Sequence, residues 1–215
     1  MPTTSRFRDH ADAGRALALH LGGRVRATSV VVALPRGGVP VACEVAGAVG
    51  APLDVFVARK VGAPGHRELG VGAIAEGGVV VVDDRTLTAL GIDADVFDRL
   101  VHDEQAELER RVLRYRGDRA LPELTGRDVV LVDDGLATGV TAEAALRALR
   151  AHEPRSLLLA VPVGAPESLE RLIGLADEVH SVLRPSSFGA VGSWYERFDQ
   201  VTDDEVLALL AAAAP

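Results

Sequence analysis

Val129-Val130-Leu131-Val132-Asp133-Asp134-Gly135-Leu136-Ala137-Thr138-Gly139-Val140-Thr141 is the stretch on which the fold turns. Its four leading apolar residues run without alternation, the character of a strand buried on both faces in a parallel sheet. The strand ends in two adjacent carboxylates, and a tight loop of small residues then opens a helix over 139–150. Small residues let backbone N–H groups approach an anion closely, and the positive end of the helix dipole adds to the attraction. Thr138 and Thr141 contribute hydroxyl donors. Such a loop suits a phosphate. The carboxylates would repel that phosphate and must serve another group. A vicinal diol suits them, because each carboxylate oxygen can accept a hydroxyl hydrogen. Phosphate and diol at this separation suggest a ribose 5-phosphate.

Outward from this stretch the chain alternates strand and helix. Residues 29–34 form a second apolar run, broken by Pro35-Arg36-Gly37-Gly38 and followed by a helix over 39–49. A strand is expected over 53–58, and a hairpin from 71–75 and 79–82 around Glu76-Gly77-Gly78. Residues 95–116 form a long charged helix, with Val96, Leu100, Leu108, Val112 and Tyr115 roughly on one face. Strands over 157–161 and 179–183 flank a helix over 166–175, and a helix over 203–210 follows, capped by Thr202 or Asp203. This order predicts an α/β fold: a mostly parallel central sheet with helices on both faces. Ligands of such sheets lie at the carboxyl ends of the strands. No repeat or long linker divides the chain, so 1–215 reads as a single domain with a small hood or flap.

Composition narrows the function. The 215 residues are 48% hydrophobic and 25% charged, which excludes wholesale disorder. The net charge of −8 gives no basic footprint for nucleic acid. No uncharged apolar run is long enough to span a membrane, and Met1-Pro2-Thr3-Thr4-Ser5-Arg6 leads into a charged stretch rather than an apolar signal. A cytoplasmic protein is expected. Cys43 is the one cysteine, which excludes an internal disulfide. The six histidines lack ligand spacing, and a zinc site is not expected. Of 23 basic residues 22 are arginine; Lys60 is the sole lysine.

The 129–141 stretch resembles the signature of the type I phosphoribosyltransferases: an apolar strand, two acids, then a loop of Ala-Thr-Gly-x-Thr kind. The resemblance implies the type I phosphoribosyltransferase fold. It implies that Ala137, Thr138, Gly139, Val140 and Thr141 hold the 5-phosphate of phosphoribosyl pyrophosphate, and that Asp133 and Asp134 hold the ribose hydroxyls. Leu34-Pro35-Arg36-Gly37-Gly38 resembles the family's pyrophosphate loop, with backbone donors at Gly37 and Gly38, a planar charge at Arg36, and a cis peptide expected before Arg36. Arg59 and Lys60 would meet the leaving pyrophosphate, and residues 61–70 look like the mobile catalytic loop that closes over the site. Arg36, Lys60, Asp133 and Asp134 are therefore the expected catalytic set. The family resemblance also implies magnesium, bound through the substrate and bridged by water to Asp133 and Asp134, and a homodimer. No residue is assigned as a direct metal ligand.

Four of the eight aromatic residues fall between Phe188 and Phe198 in a glycine-rich stretch. Trp194 and Tyr195 there either stack a flat base under a hood over 184–202 or form a small satellite core or dimer contact. Three weaker motifs are set aside. Gly70-Val71-Gly72 leads into a strand, Asp83-Asp84 lacks a phosphate loop, and Gly192-Ser193-Trp194 is not a nucleophile elbow. One departure bears on the acceptor. Relatives acting on 6-oxopurines often have an aspartate where Ala137 stands, and the 95–116 helix is foreign to the adenine- and orotate-type patterns. Two functions stay open: transfer of ribose 5-phosphate to a nitrogen acceptor such as a nucleobase, or regulation by a protein that binds phosphoribosyl pyrophosphate without catalysis.

Overall fold

A computed structural model of the chain describes residues 6–213. The chain runs α1 (His10–Leu21), β1 (Val30–Ala33), α2 (Gly38–Val49), β2 (Leu53–Val55), β3 (Ala58–Ala63), β4 (His66–Ala75) and β5 (Val79–Val82). It continues through α3 (Asp84–Leu90), α4 (Ala94–Arg116), β6 (Asp128–Val132), α5 (Val140–Arg150), β7 (Ser156–Val163), α6 (Pro166–Leu172), β8 (Glu178–Leu183) and α7 (Asp203–Ala213). Five strands pair in the order β2-β1-β6-β7-β8, all parallel. The two acid-bearing and glycine-bearing strand ends, β6 and β1, are direct neighbours, with Ala33 opposite Val132.

Strand alternation divides the apolar runs between two cores. Val31, Ala33, Val130, Val132, Leu158 and Ala160 face α1, α2 and α7, meeting Leu17, Leu21, Val41, Val45, Val206 and Leu210. Val30, Val32, Val129, Leu131, Leu157 and Leu159 face the other way, onto Leu146 and Leu149 of α5 and Leu169 and Leu172 of α6. That both parities are apolar explains why these runs do not alternate. Full burial of each of these valines and leucines contributes about 1.5–3 kcal/mol.

Several boundaries differ from the sequence expectation. The strand expected over 53–58 ends at Val55; Phe56 and Val57 turn the chain, and Ala58 begins a separate sheet, β3-β4-β5, antiparallel throughout. Residues 61–70, expected as a loop, lie largely in β3 and β4, with Pro64 and Gly65 between the strands. A buried ion cluster ties the root of this hairpin to α4: Arg116 donates to both Glu76 carboxylate oxygens at 2.8 and 2.9 Å and to Val55 O at 2.7 Å. Asp54, itself buried, lies 3.7 Å from Arg116 Nε. Two helices had no sequence assignment. Asp9 caps α1, accepting from the Asp12 N–H at 2.9 Å, and Asp83 caps α3, accepting from Thr86. Thr202 caps α7 reciprocally with Glu205, as a capping box does. Among the described residues no helix is long and apolar enough to cross a membrane.

Candidate functional site

Ala33 and Val132 end their strands side by side, and just past β1 the Leu34 N–H donates to Val132 O at 2.9 Å. The Pro35–Arg36 peptide is cis, at the bond singled out from sequence. The chain then turns at Gly37 into α2, directly against the two acids. A Cβ on Gly37 would overlap the Asp134 carboxylate, and one on Gly38 would lie 2.8 Å from Val132 O and 3.0 Å from Asp133 Cα. Backbone approach requires glycine at Gly38, and at Gly37 a side chain would have to displace the Asp134 carboxylate. The acids and the glycine turn thus form one wall.

Asp133 is half-buried, and the Asp134 N–H donates to its Oδ1 at 2.9 Å. Burial, then the neighbouring Asp134 carboxylate, pushes the Asp133 carboxyl well above the usual carboxylate range. Asp134 is held from two sides. Its Oδ2 lies 3.6 Å from His10 Nε2, and its carbonyl accepts the Tyr195 hydroxyl at 2.5 Å.

The small-residue loop follows. Leu136 bridges to Gly164, its N–H donating to Val163 O at 2.9 Å. Ala137 and Thr138 are exposed, Gly139 takes a left-handed φ of 71°, and Val140 and Thr141 open α5. The first N–H groups of a helix have no intrahelical partner and remain available to an anion. A cleft of about 580 Å³ opens here, lined by Ala137, Thr138, Pro166, Ser186, Phe188 and Gly189.

The basic residues are placed less simply. Arg36 Nη1 lies 3.8 Å from Asp203 Oδ1, and the Tyr115 hydroxyl donates to the same oxygen at 2.5 Å. Burial and Asp203 push the Tyr115 hydroxyl up to about 12. Arg59 is engaged by α4: its Nε donates to Glu104 at 2.6 Å, and Glu107 lies at 3.7 Å. Lys60, the next residue on β3, is half-buried opposite Ala73, with its aliphatic stem near Gly70. Arg59 and Lys60 line a second cleft, of about 480 Å³, with Leu100, Asp103 and Glu104.

The aromatic cluster divides between the two readings. Tyr195 is only 3% exposed, packed on Phe7, His10 and Phe198 with ring centroids 4.9–5.6 Å apart. Tyr195 therefore has no open face for a base, which corrects its assignment as a stacking residue. Trp194 is half-buried, and its Nε1 is buried without an acceptor among the described residues. The cluster is closed by the N-terminal segment: Phe7 N–H donates to Trp194 O at 2.9 Å, and Glu196 N–H to Phe7 O at 2.8 Å. His10, Ser168 and Arg171 border the site without belonging to any motif, and only proximity in the fold reveals them.

A family model for the phosphoribosyl transferase domain matches residues 13–197. A Mycobacterium tuberculosis protein named, provisionally, as a phosphoribosyl transferase is 47% identical over 207 residues, 96% of this chain and 47% of that protein. The chain thus spans about half the length of this curated relative. A uracil phosphoribosyltransferase of Aquifex aeolicus is 35% identical over 97 residues, 45% of this chain and 40% of that protein. A crystal structure of a Thermus thermophilus protein superposes with a TM-score of 0.80 at 45% identity, covering 98% of this chain and 100% of that one.

Proposed function

Because this chain belongs to the phosphoribosyl transferase domain family, we propose that it transfers ribose 5-phosphate from phosphoribosyl pyrophosphate to a nitrogen acceptor of nucleobase type. The observation that carries this reading is the wall formed by Gly37, Gly38, Asp133 and Asp134, with the small-residue loop continuing from it. In this reading the 5-phosphate lies in the 137–141 loop, the ribose diol on Asp133 and Asp134, and the pyrophosphate against the Arg36–Gly38 turn.

The acceptor nitrogen attacks C1 of the ribose as the bond from C1 to the pyrophosphate oxygen breaks, and the acceptor's proton leaves to solvent. Positive charge builds on the sugar and negative charge on the leaving group. The protein's part is to orient both partners and stabilise that separation. Arg36 and Lys60 are the cations proposed to face the leaving group. Adjacent carboxylates are hard oxygen donors that suit magnesium, but among the described residues no three His, Cys, Asp or Glu side chains gather to hold a metal. Such a donor set fits an ion bound mainly by substrate phosphates and water, with Asp133 and Asp134 in its outer surroundings. That ion would neutralise phosphate charge.

The acceptor is proposed to enter the cleft beside Ala137 and Thr138, under a hood drawn from 184–202 that presents Phe188 there. The Aquifex relative's name supports a nucleobase as the acceptor class. The homodimer and the cytoplasmic location expected from sequence stand as proposals beside it.

The ion pairs of Arg59 with Glu104 and Glu107 favour one second reading. A protein whose basic strand end is already neutralised could bind phosphoribosyl pyrophosphate as a regulator without turning it over. Pyrophosphate release, measured with phosphoribosyl pyrophosphate, magnesium and a panel of bases, separates the two. Release with at least one base is expected. Tight sugar-phosphate binding with no release on any base supports the regulator.

A further inference from the structure

Two side chains of α6 grip the small-residue loop by its carbonyl groups. Ser168, buried, donates from Oγ to Ala137 O at 2.5 Å. Three residues on, Arg171 donates from Nη2 to Thr138 O. This spacing sets both donors on one face of the helix. Arg171 is also drawn to α5, its Nε 3.8 Å from Glu143 Oε2. Just before them the Ala165 N–H donates to Leu136 O at 2.8 Å. Three consecutive loop carbonyls, those of Leu136, Ala137 and Thr138, are therefore all turned toward the segment that leads into and forms α6.

Across a trans peptide the C=O and N–H point in opposite directions. Holding the Ala137 and Thr138 carbonyls on α6 therefore aims the Thr138 and Gly139 N–H groups away from it. Without these two donors each peptide is free to rotate and present a carbonyl where a donor is needed. We propose that Ser168 and Arg171 are positioning residues that fix the loop's peptides in the donor-out orientation. They would thereby select for a phosphate monoester such as that of ribose 5-phosphate. The proposal rests on the reading that this loop seats the sugar's phosphate. Neither residue touches the substrate in it. Preorganised donors bind an anion more tightly because less ordering is left to binding.

The test is calorimetric titration of ribose 5-phosphate and, separately, of magnesium pyrophosphate. The proteins are wild type, Ser168→Ala, Ser168→Thr, Arg171→Gln and Arg171→Lys. Loss of one such bond is expected to weaken ribose 5-phosphate about fivefold, with pyrophosphate, bound at the other loop, unchanged. Ser168→Thr and Arg171→Lys, which keep a donor, are expected to recover most of the affinity. Arg171 is half-exposed, so its variants keep the test usable if Ser168 variants fold poorly. Ribose 5-phosphate affinity within twofold of wild type in both Ser168→Ala and Arg171→Gln would overturn the proposal, as would equal weakening of pyrophosphate. If wild type itself does not bind ribose 5-phosphate, the reading of the loop fails and the clamp fails with it. If wild type binds and the variants match it, only the clamp fails.

Discussion

The Tyr195 hydroxyl donates to the main-chain oxygen of Asp134 over 2.5 Å, so a residue near the end of the chain holds the end of its central strand. The same ring packs on His10, whose Nε2 approaches the Asp134 carboxylate at 3.6 Å. The cluster thus orients an acid and need not stack a base. Tyr195→Phe removes the donor and leaves the ring in place. It is expected to lower stability by about 1 kcal/mol and to weaken phosphoribosyl pyrophosphate binding. Chemical denaturation and calorimetry check the two effects.

Asp133 carries a raised pKa because its partial removal from water, and then the neighbouring Asp134 carboxylate, disfavour its charged form. The native state therefore holds a proton that the unfolded chain has released, and stability falls as pH rises from the ordinary carboxylate range through the raised value. Asp133→Asn, which carries no charge at any pH, is expected to raise the melting temperature of the ligand-free protein. The gap over wild type should widen from pH 4 upward while sugar-phosphate binding weakens. A gap that does not change with pH counts against the assignment.

Legibility in the sequence followed the length of the signal. The apolar runs at 29–34 and 129–132 marked strands buried on both faces, and the structure puts them side by side. Pro35 to Gly38 and Asp133 to Thr141 announced close backbone approach through glycine and small residues. The sheet change at Phe56 and Val57 was not legible, because the apolar run continues through the turn and only pairing ends it. Tyr195 could not be sorted between hood and core, since its burial depends on Phe7 and His10, far away in the chain. Ser168 and Arg171 act through carbonyl groups, which leave no trace in residue identity.

Lys60 is the only lysine of the chain and sits on β3 next to the ion-paired Arg59. A compact ammonium and a planar guanidinium are not interchangeable at a leaving group. Lys60→Arg is expected to lower turnover more than sugar-phosphate affinity. The comparison of kcat with the binding constant reads this directly. Near-normal turnover would remove Lys60 from the catalytic set.

Arg116 neutralises Glu76 and Asp54 where the three-stranded sheet joins α4. Arg116→Ala removes the shared partner of the buried Asp54 and the half-buried Glu76, leaving Asp54 only Arg119 at 3.8 Å, and is expected to cost about 3 kcal/mol of stability, measured by urea denaturation. Restoration of part of that loss in Arg116→Ala with Glu76→Gln would trace it to the uncompensated charge.

The most direct test of the sugar-phosphate site is titration of phosphoribosyl pyrophosphate with magnesium into wild type and Asp134→Asn. The side chain of Asp134 faces the glycine turn and its loss as a charge leaves the backbone packing intact. Wild type is expected to bind, and Asp134→Asn to bind about tenfold or more weakly, the worth of a charge-assisted hydrogen bond. Equal affinity in the two proteins would contradict the placement of the ribose on these carboxylates.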